Sequence, residues 1–245
     1  MRALVAQARV ETTMTLRRGE TLLVTIGIPV AFVVFFSTVH VLPTTGRAVN
    51  FVVPGVLALA VMSTAMVSLG IATGFERGYG VLKRLGSTPL RRDRLVVAKL
   101  GAVLVVEVLQ AAVLLPVGVG LGWQPHANGG VAATVLQVVA LVLLGTAGFG
   151  GLGLLLAGTL RAEVNLAVAN GLYLVLLLLG GVLVPLGKLP HLLADVAKVF
   201  PAAALSGGFH AVLGGGHAIP GESWVTLAAW ALAAPVVAAL TFRWE

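Results

Sequence analysis

The sequence predicts an all-α integral membrane protein with six transmembrane helices, on three observations. Hydrophobic residues make up 58% of the chain and charged ones 10%, with a mean hydropathy of +1.03, a balance outside the range of a water-soluble domain. Six apolar runs each reach the length of about 20 residues that carries a helix across a hydrocarbon core of about 30 Å. Lysine and arginine crowd onto alternate connecting segments, the charge asymmetry of a multi-pass protein.

The chain reads as a single transmembrane domain over residues 1–245. Residues 1–20, MRALVAQARVETTMTLRRGE, place Met1, Leu4, Val5, Ala8 and Leu16 on one helical face and Arg2, Arg9, Arg17 and Arg18 elsewhere. That pattern predicts an amphipathic helix lying on the cytoplasmic leaflet, with a disordered basic tail as the alternative; Val10 and Met14 depart from it. The first span, residues 21–42, begins too late and runs too long for the apolar core of a signal peptide, about 7 to 15 residues, and so stays as an anchor. The remaining spans are residues 51–75, 100–123, 131–160, 164–186 and 223–242, and Glu107 is the one charge inside the six.

Thirteen of the sixteen basic residues lie on one set of segments: Arg2, Arg9, Arg17, Arg18, Arg77, Lys83, Arg84, Arg91, Arg92, Arg94, Lys99, Arg161 and Arg243. The other set holds Arg47, Lys188 and Lys198. Both termini and the loop between spans two and three therefore face the cytoplasm of a cell-membrane protein, and the net charge of +7 is this asymmetry rather than a nucleic-acid footprint. Residues 185–222 are too apolar for a free linker and too broken by proline and glycine to span. They predict short re-entrant helices on the outer side, either a gate or a cap on the bundle, with Pro185, Leu189, Pro190, Pro201 and His210 as candidate gate residues.

Enzymatic constellations are missing. No cysteine occurs, which removes disulfides, thiol catalysis and cysteine-bound metals, and no H-E-x-x-H appears. Ser206 and His210 imitate a nucleophile pair, but Ala204 stands where G-x-S-x-G needs glycine, so they read as surface residues. In GVLVPLGKL, residues 181–189, the glycine spacing and the leucine after lysine both fail the phosphate loop, so ATP and Mg belong to another polypeptide.

The charged loop is the most specific stretch. Glu76-Arg77, Gly80-Val81-Leu82-Lys83-Arg84-Leu85, Thr88-Pro89-Leu90 and Lys99 follow E-R-x-x-G-x-L-x-x-L-x-x-T-P, which resembles the loop between spans two and three of type-2 ABC transporter permeases. The outer residues Val184-Pro185-Leu186, Leu189-Pro190, Leu192-Leu193, Phe200-Pro201 and His210-Ala211-Val212-Leu213 resemble the re-entrant segment of the same family. Gly78 and Lys83 depart from the commoner pattern, and G-x-L-K-R-L is closest to the daunorubicin-resistance type of drug exporter.

The resemblance implies a coupling helix within residues 76–96 that docks on a cytoplasmic ABC ATPase subunit, with a second permease, itself or a related chain, completing the cargo path in the lipid bilayer. Glu76 and Arg77 open that element; Val81, Leu82 and Leu85 would supply an apolar contact; Arg77, Lys83 and Arg84 would pair with partner acids; Thr88-Pro89 would end the helix. Anchoring on anionic lipid headgroups is the alternative for the basic residues. Cargo would be hydrophobic or amphipathic, such as a drug or a lipid-like molecule.

Glu107 falls near the bilayer midplane, where an acid is a functional candidate by default. Gln110, on the same helical face, can donate to it. Asn165, Asn170 and Tyr173 share an arc of the fifth span and are candidates for the same path, with interhelical polar packing as the alternative. Two other readings stay open: a proton- or ion-coupled transporter using Glu107, and a membrane scaffold that transports nothing.

Overall fold

The computed structural model describes residues 2–17, 19–39, 47–86, 92–125, 129–182 and 185–242, and every long element among them is helical. Helix α1 (Arg2–Arg17) leads into α2 (Gly19–Thr38). The second span is one continuous rod, Ala48–Gly78, made of α3 (Ala48–Met62), a π-helical turn (Ser63–Ser68) and α4 (Leu69–Gly78). The short α5 (Val81–Gly86) follows, then α6 (Arg92–Gly120), α7 (Val131–Thr159) and α8 (Ala162–Leu179). On the far side come α9 (His191–Val199), α10 (Pro201–Phe209) with a π-helical turn (His210–Gly215), and α11 (Gly221–Thr241).

Five of these rods are long and apolar enough to cross a membrane: Ala48–Gly78, Asp93–Gly120, Val131–Thr159, Ala162–Leu179 and Gly221–Thr241. Within the described residues the first expected span carries a shorter apolar helix, Leu22–Thr38, and residues 40–42 of that span lie outside them. The pair His191–Val199 and Pro201–Gly215 bends by 92° at Phe200-Pro201, where the residue before proline is pushed out of the α region.

Two expected boundaries are corrected. The third span begins in the charged loop, at Arg92 rather than residue 100, because Asp93 in its first turn suits the positive end of the helix dipole. The fifth ends at Leu179 rather than residue 186, because Gly181 turns the chain at φ +70°, a conformation that glycine adopts without steric cost.

The second span is the axis of the bundle: α3 is buried over almost its whole length, and α6, α7, α10 and α2 pack around it. With lipid on the outside there is no hydrophobic drive between spans, so close packing of small residues holds them. At Gly153 of α7 a methyl group would sit 2.5 Å from Met66 O in the π-helical turn, and at Gly151 it would run into the Ala234-Pro235 backbone of α11. The two glycines therefore set how closely α7 approaches the axis on one side and α11 on the other.

Gly153→Ala should cost about 1 to 3 kcal/mol through overpacking, read as a lowered thermal unfolding midpoint in detergent. Gly171→Ala on α8, where a methyl group meets nothing within 4 Å, should be neutral or raise the midpoint.

Candidate functional site

The end of the bundle that carries α5 is organised by charges that sequence alone leaves unpaired. Lys99, about two helical turns into α6, is only 2% exposed. Its ammonium lies 2.7 Å from Glu76 Oε2 at the end of α4 and 3.1 Å from the Glu11 carboxylate of α1. Gln7 Nε2 donates to Glu11 Oε1 at 2.8 Å, so the acid is held from its own helix as well. One buried cation thereby joins α1, the second span and the third span. The inward face of α1 is thus partly polar, while Val10 and Met14, which broke the amphipathic pattern, are exposed.

Arg77 turns inward too. Its Nη1 donates to Ala157 O at 2.9 Å and its Nη2 to Leu160 O at 2.8 Å, satisfying carbonyl groups left open at the end of α7. On α5, Leu82 is completely buried against Leu95 and Phe242, with Leu85 packed beside them. Of the three residues expected to supply an apolar contact, Val81, Leu82 and Leu85, Leu82 faces its own chain, because a six-residue helix this close to α6 and the end of α11 keeps one side for itself. Val81, Lys83, Arg84 and, just before them, Tyr79 are exposed. Thr88 and Pro89 lie outside the described residues.

At membrane depth the candidate path residues fall into separate places. Glu107, at the middle of α6, is 5% exposed; its Oε2 is 2.5 Å from Thr146 Oγ1 on α7, and its Oε1 is buried without a partner among the described residues. Gln110 does not pair with it. Instead Gln110 Nε2 donates to Thr25 O at 2.9 Å and its Oε1 accepts from Thr64 at 3.2 Å, tying α6 to α2 and to the π-helical turn. Asn165 is fully buried and donates from Nδ2 to Gly70 O at 2.8 Å, an interhelical bond between α8 and α4. Asn170 and Tyr173 line a groove of about 500 Å³ between α2, the second span and α8. The groove and Glu107 lie on opposite sides of α3, since Leu59 lines the first and Ala60 and Val61 line the cavity beside Glu107.

At the end of the bundle away from α5, Pro185 and His210 line a vestibule of about 630 Å³ together with Arg47, Phe51 and Lys188. His210 Nε2 is 3.0 Å from Phe51 O and Nδ1 is 2.7 Å from Ser206 O, so the imidazole bridges α3 and α10. Ser206, expected at the surface, is buried, with its hydroxyl 3.2 Å from the same ring. Pro190 precedes α9, Pro201 is buried at the start of α10, and Leu189 is half-buried.

Residues 3–213 match the family described as ABC-2 type transporter. The chain belongs to that family. It is therefore a multi-pass membrane transport subunit of an ABC system and not itself a catalyst. No curated protein matches the chain. As an ABC-2 subunit, it carries three functional candidates that sequence reading passed over: Glu11, Thr146 and Trp123. Thr146 and Trp123 sit in apolar runs with nothing to distinguish them. Glu11 had a signal, as a lone acid on a helix otherwise rich in arginine.

Lys99→Met should destabilise the ABC-2 subunit by about 3 to 5 kcal/mol, because two carboxylates lose their cation in a largely buried site. Adding Glu11→Gln and Glu76→Gln should restore most of the thermal midpoint. A neutral result for Lys99→Met would show that the ion cluster contributes nothing to stability.

Proposed function

We propose that this chain is the permease of a two-component, ATP-driven exporter, pairing with a second permease and receiving the work of hydrolysis from a cytoplasmic ATPase through α5. The observation that carries the reading is the division of labour in the charged loop. Glu76, Arg77 and Leu82 lock it to α1, α6, α7 and the α11 end, while Val81, Lys83 and Arg84 stay on the surface. A rigid base with a basic and apolar outer face suits docking in a groove of a partner that offers acids and an apolar pocket.

Orientation follows from the basic residues, with both termini and α5 in the cytoplasm. The groove with Asn170 and Tyr173 is the proposed cargo path, closed on its open side by the second permease. The bent pair α9 and α10, with the vestibule bounded by Pro185 and His210, is the proposed outer gate. Exposed Leu192, Leu193, Val196 and Val199 on α9 suit seating in the outer leaflet. Cargo is hydrophobic or amphipathic, and the G-x-L-K-R-L loop favours a drug exporter.

The test is co-expression with the candidate ATPase and measurement of co-purified complex and ATP hydrolysis. Lys83→Glu with Arg84→Glu should lower complex recovery at least tenfold, compared at equal amounts of folded permease. Leu82→Asp should instead unfold the cytoplasmic end, as burial of a carboxylate beside Leu95 and Phe242 demands. If the double charge reversal leaves the complex intact, the coupling role of these bases fails and lipid headgroups are their partner. If no ATPase associates with the wild type, the exporter reading falls, and loss of transport in Glu107→Gln without any ATPase would establish proton coupling.

A further inference from the structure

A second cavity, of about 550 Å³, lies across α3 from the proposed path, between α3, α6, α7 and the end of α10. Its volume is that of a pocket for a drug-sized molecule. The lining is apolar except for Glu107, Gln110, Thr134 and Trp123, and its open side is framed by exposed Val119, Val135 and Val139. Two of the four polar residues are satisfied by the chain: Gln110 by Thr25 and Thr64, and Thr134 by donating to Gly130 O at 3.1 Å. The other two are not. Among the described residues Glu107 Oε1 and Trp123 Nε1 are buried without a hydrogen-bond partner, in side chains 5% and 4% exposed.

The chemistry of the two orphans differs. Indole Nε1 can only donate. The carboxyl is fixed at its other oxygen: Thr146 Oγ1 lies 2.5 Å from Glu107 Oε2 and 2.7 Å from Val142 O. The Thr146 hydroxyl donates to Oε2 and shares its hydrogen with Val142 O, which leaves Oε1 open, and on the carboxylate Oε1 is an acceptor. The acceptor is at mid-membrane and the donor lies just past the α6 end, roughly 15 to 20 Å apart at about 1.5 Å per residue. A helix from a second copy has its backbone groups already bonded and matches neither orphan, whereas a small amphiphile can match both.

We propose that this cavity binds one amphipathic molecule, which donates from an amine or hydroxyl to Glu107 Oε1 at its deep end and accepts from Trp123 Nε1 at its shallow end, with an apolar body between. The site deepens the permease reading by giving the polar layout of a ligand, and it needs no ATPase to be filled.

The full chain in phosphatidylcholine nanodiscs, without ATPase, is titrated with 12-bromododecan-1-ol, 12-bromododecylamine and the methyl ether of the alcohol. Bromine at the shallow end quenches Trp123, and the difference from Trp123→Phe isolates that ring. Saturable quenching at least fivefold tighter for alcohol or amine than for the ether is expected. Glu107→Leu should bring the probes together, and Val139→Phe, which narrows the mouth without touching the carboxyl, should abolish saturation. Equal affinity for the ether, an unchanged preference in Glu107→Leu, or quenching that never saturates overturns the proposal. So does a change from two copies per disc to one in Val139→Phe, which makes the cavity a subunit contact. ATPase recovery, measured separately, judges the exporter reading whichever way the titration falls.

Discussion

A lysine on an apolar helix can be buried only if opposite charge comes to meet it. Lys99 meets that requirement with carboxylates from two other helices, and the geometry of that half of the bundle follows. Glu11 can reach the ammonium only if α1 lies against α6, and Glu76 only if α4 ends at the same level. Taking charges out of water is costly, so such a cluster adds little net stability over an apolar replacement. What it does is choose: sliding α1 or α6 by one turn would leave a buried charge alone, which is far worse than either paired arrangement. The register of three helices is thus set by one cation.

Away from that cluster the same logic runs through neutral polar groups. Gln110 bonds α2, Asn165 bonds α4, and His210 bonds α3, each through a backbone carbonyl of another helix, and Gln110 also accepts from the Thr64 hydroxyl of the π-helical turn. Such bonds have partners that cannot be replaced by water in the hydrocarbon, so they add direction to a packing that the glycines of α7 make close. The π-helical turn supplies both kinds of contact, since Thr64 reaches Gln110 and Met66 O faces Gly153. A mid-span departure from α geometry commonly marks a functional position, and here it also borders the groove that holds Asn170 and Tyr173.

The spans and the charged loop were legible because apolar length and the placement of lysine and arginine are local properties of the chain. That residues 185–222 are broken into short pieces was legible for the same reason: proline acts on its immediate neighbour. What could not be read is which partner a polar residue takes. Glu107 and Gln110 share a helical face by spacing, yet Thr146 and Thr25, from helices far along the chain, take their bonds. Leu82 and Leu85 look like a partner surface in a short helix, and only the closeness of Leu95 and Phe242 turns Leu82 inward. Arg77 reads as a loop cation until the open end of α7 is seen beside it.

That inward turn bears on how a loop could transmit force. A surface helix joined to the membrane by flexible residues would yield when pushed. Here α5 sits on Leu82 wedged between α6 and the end of α11, and the turn before it is pinned by Arg77 to α7 and by Glu76 to α6. Displacement of α5 therefore requires these contacts to break or these helices to move with it. Breaking them would strand a guanidinium and a carboxylate in a low-dielectric margin, so joint movement is the less costly response. The residues that fix the loop to the bundle are then the ones that would carry a push on its exposed face into the spans, and the exposed bases need only provide the grip.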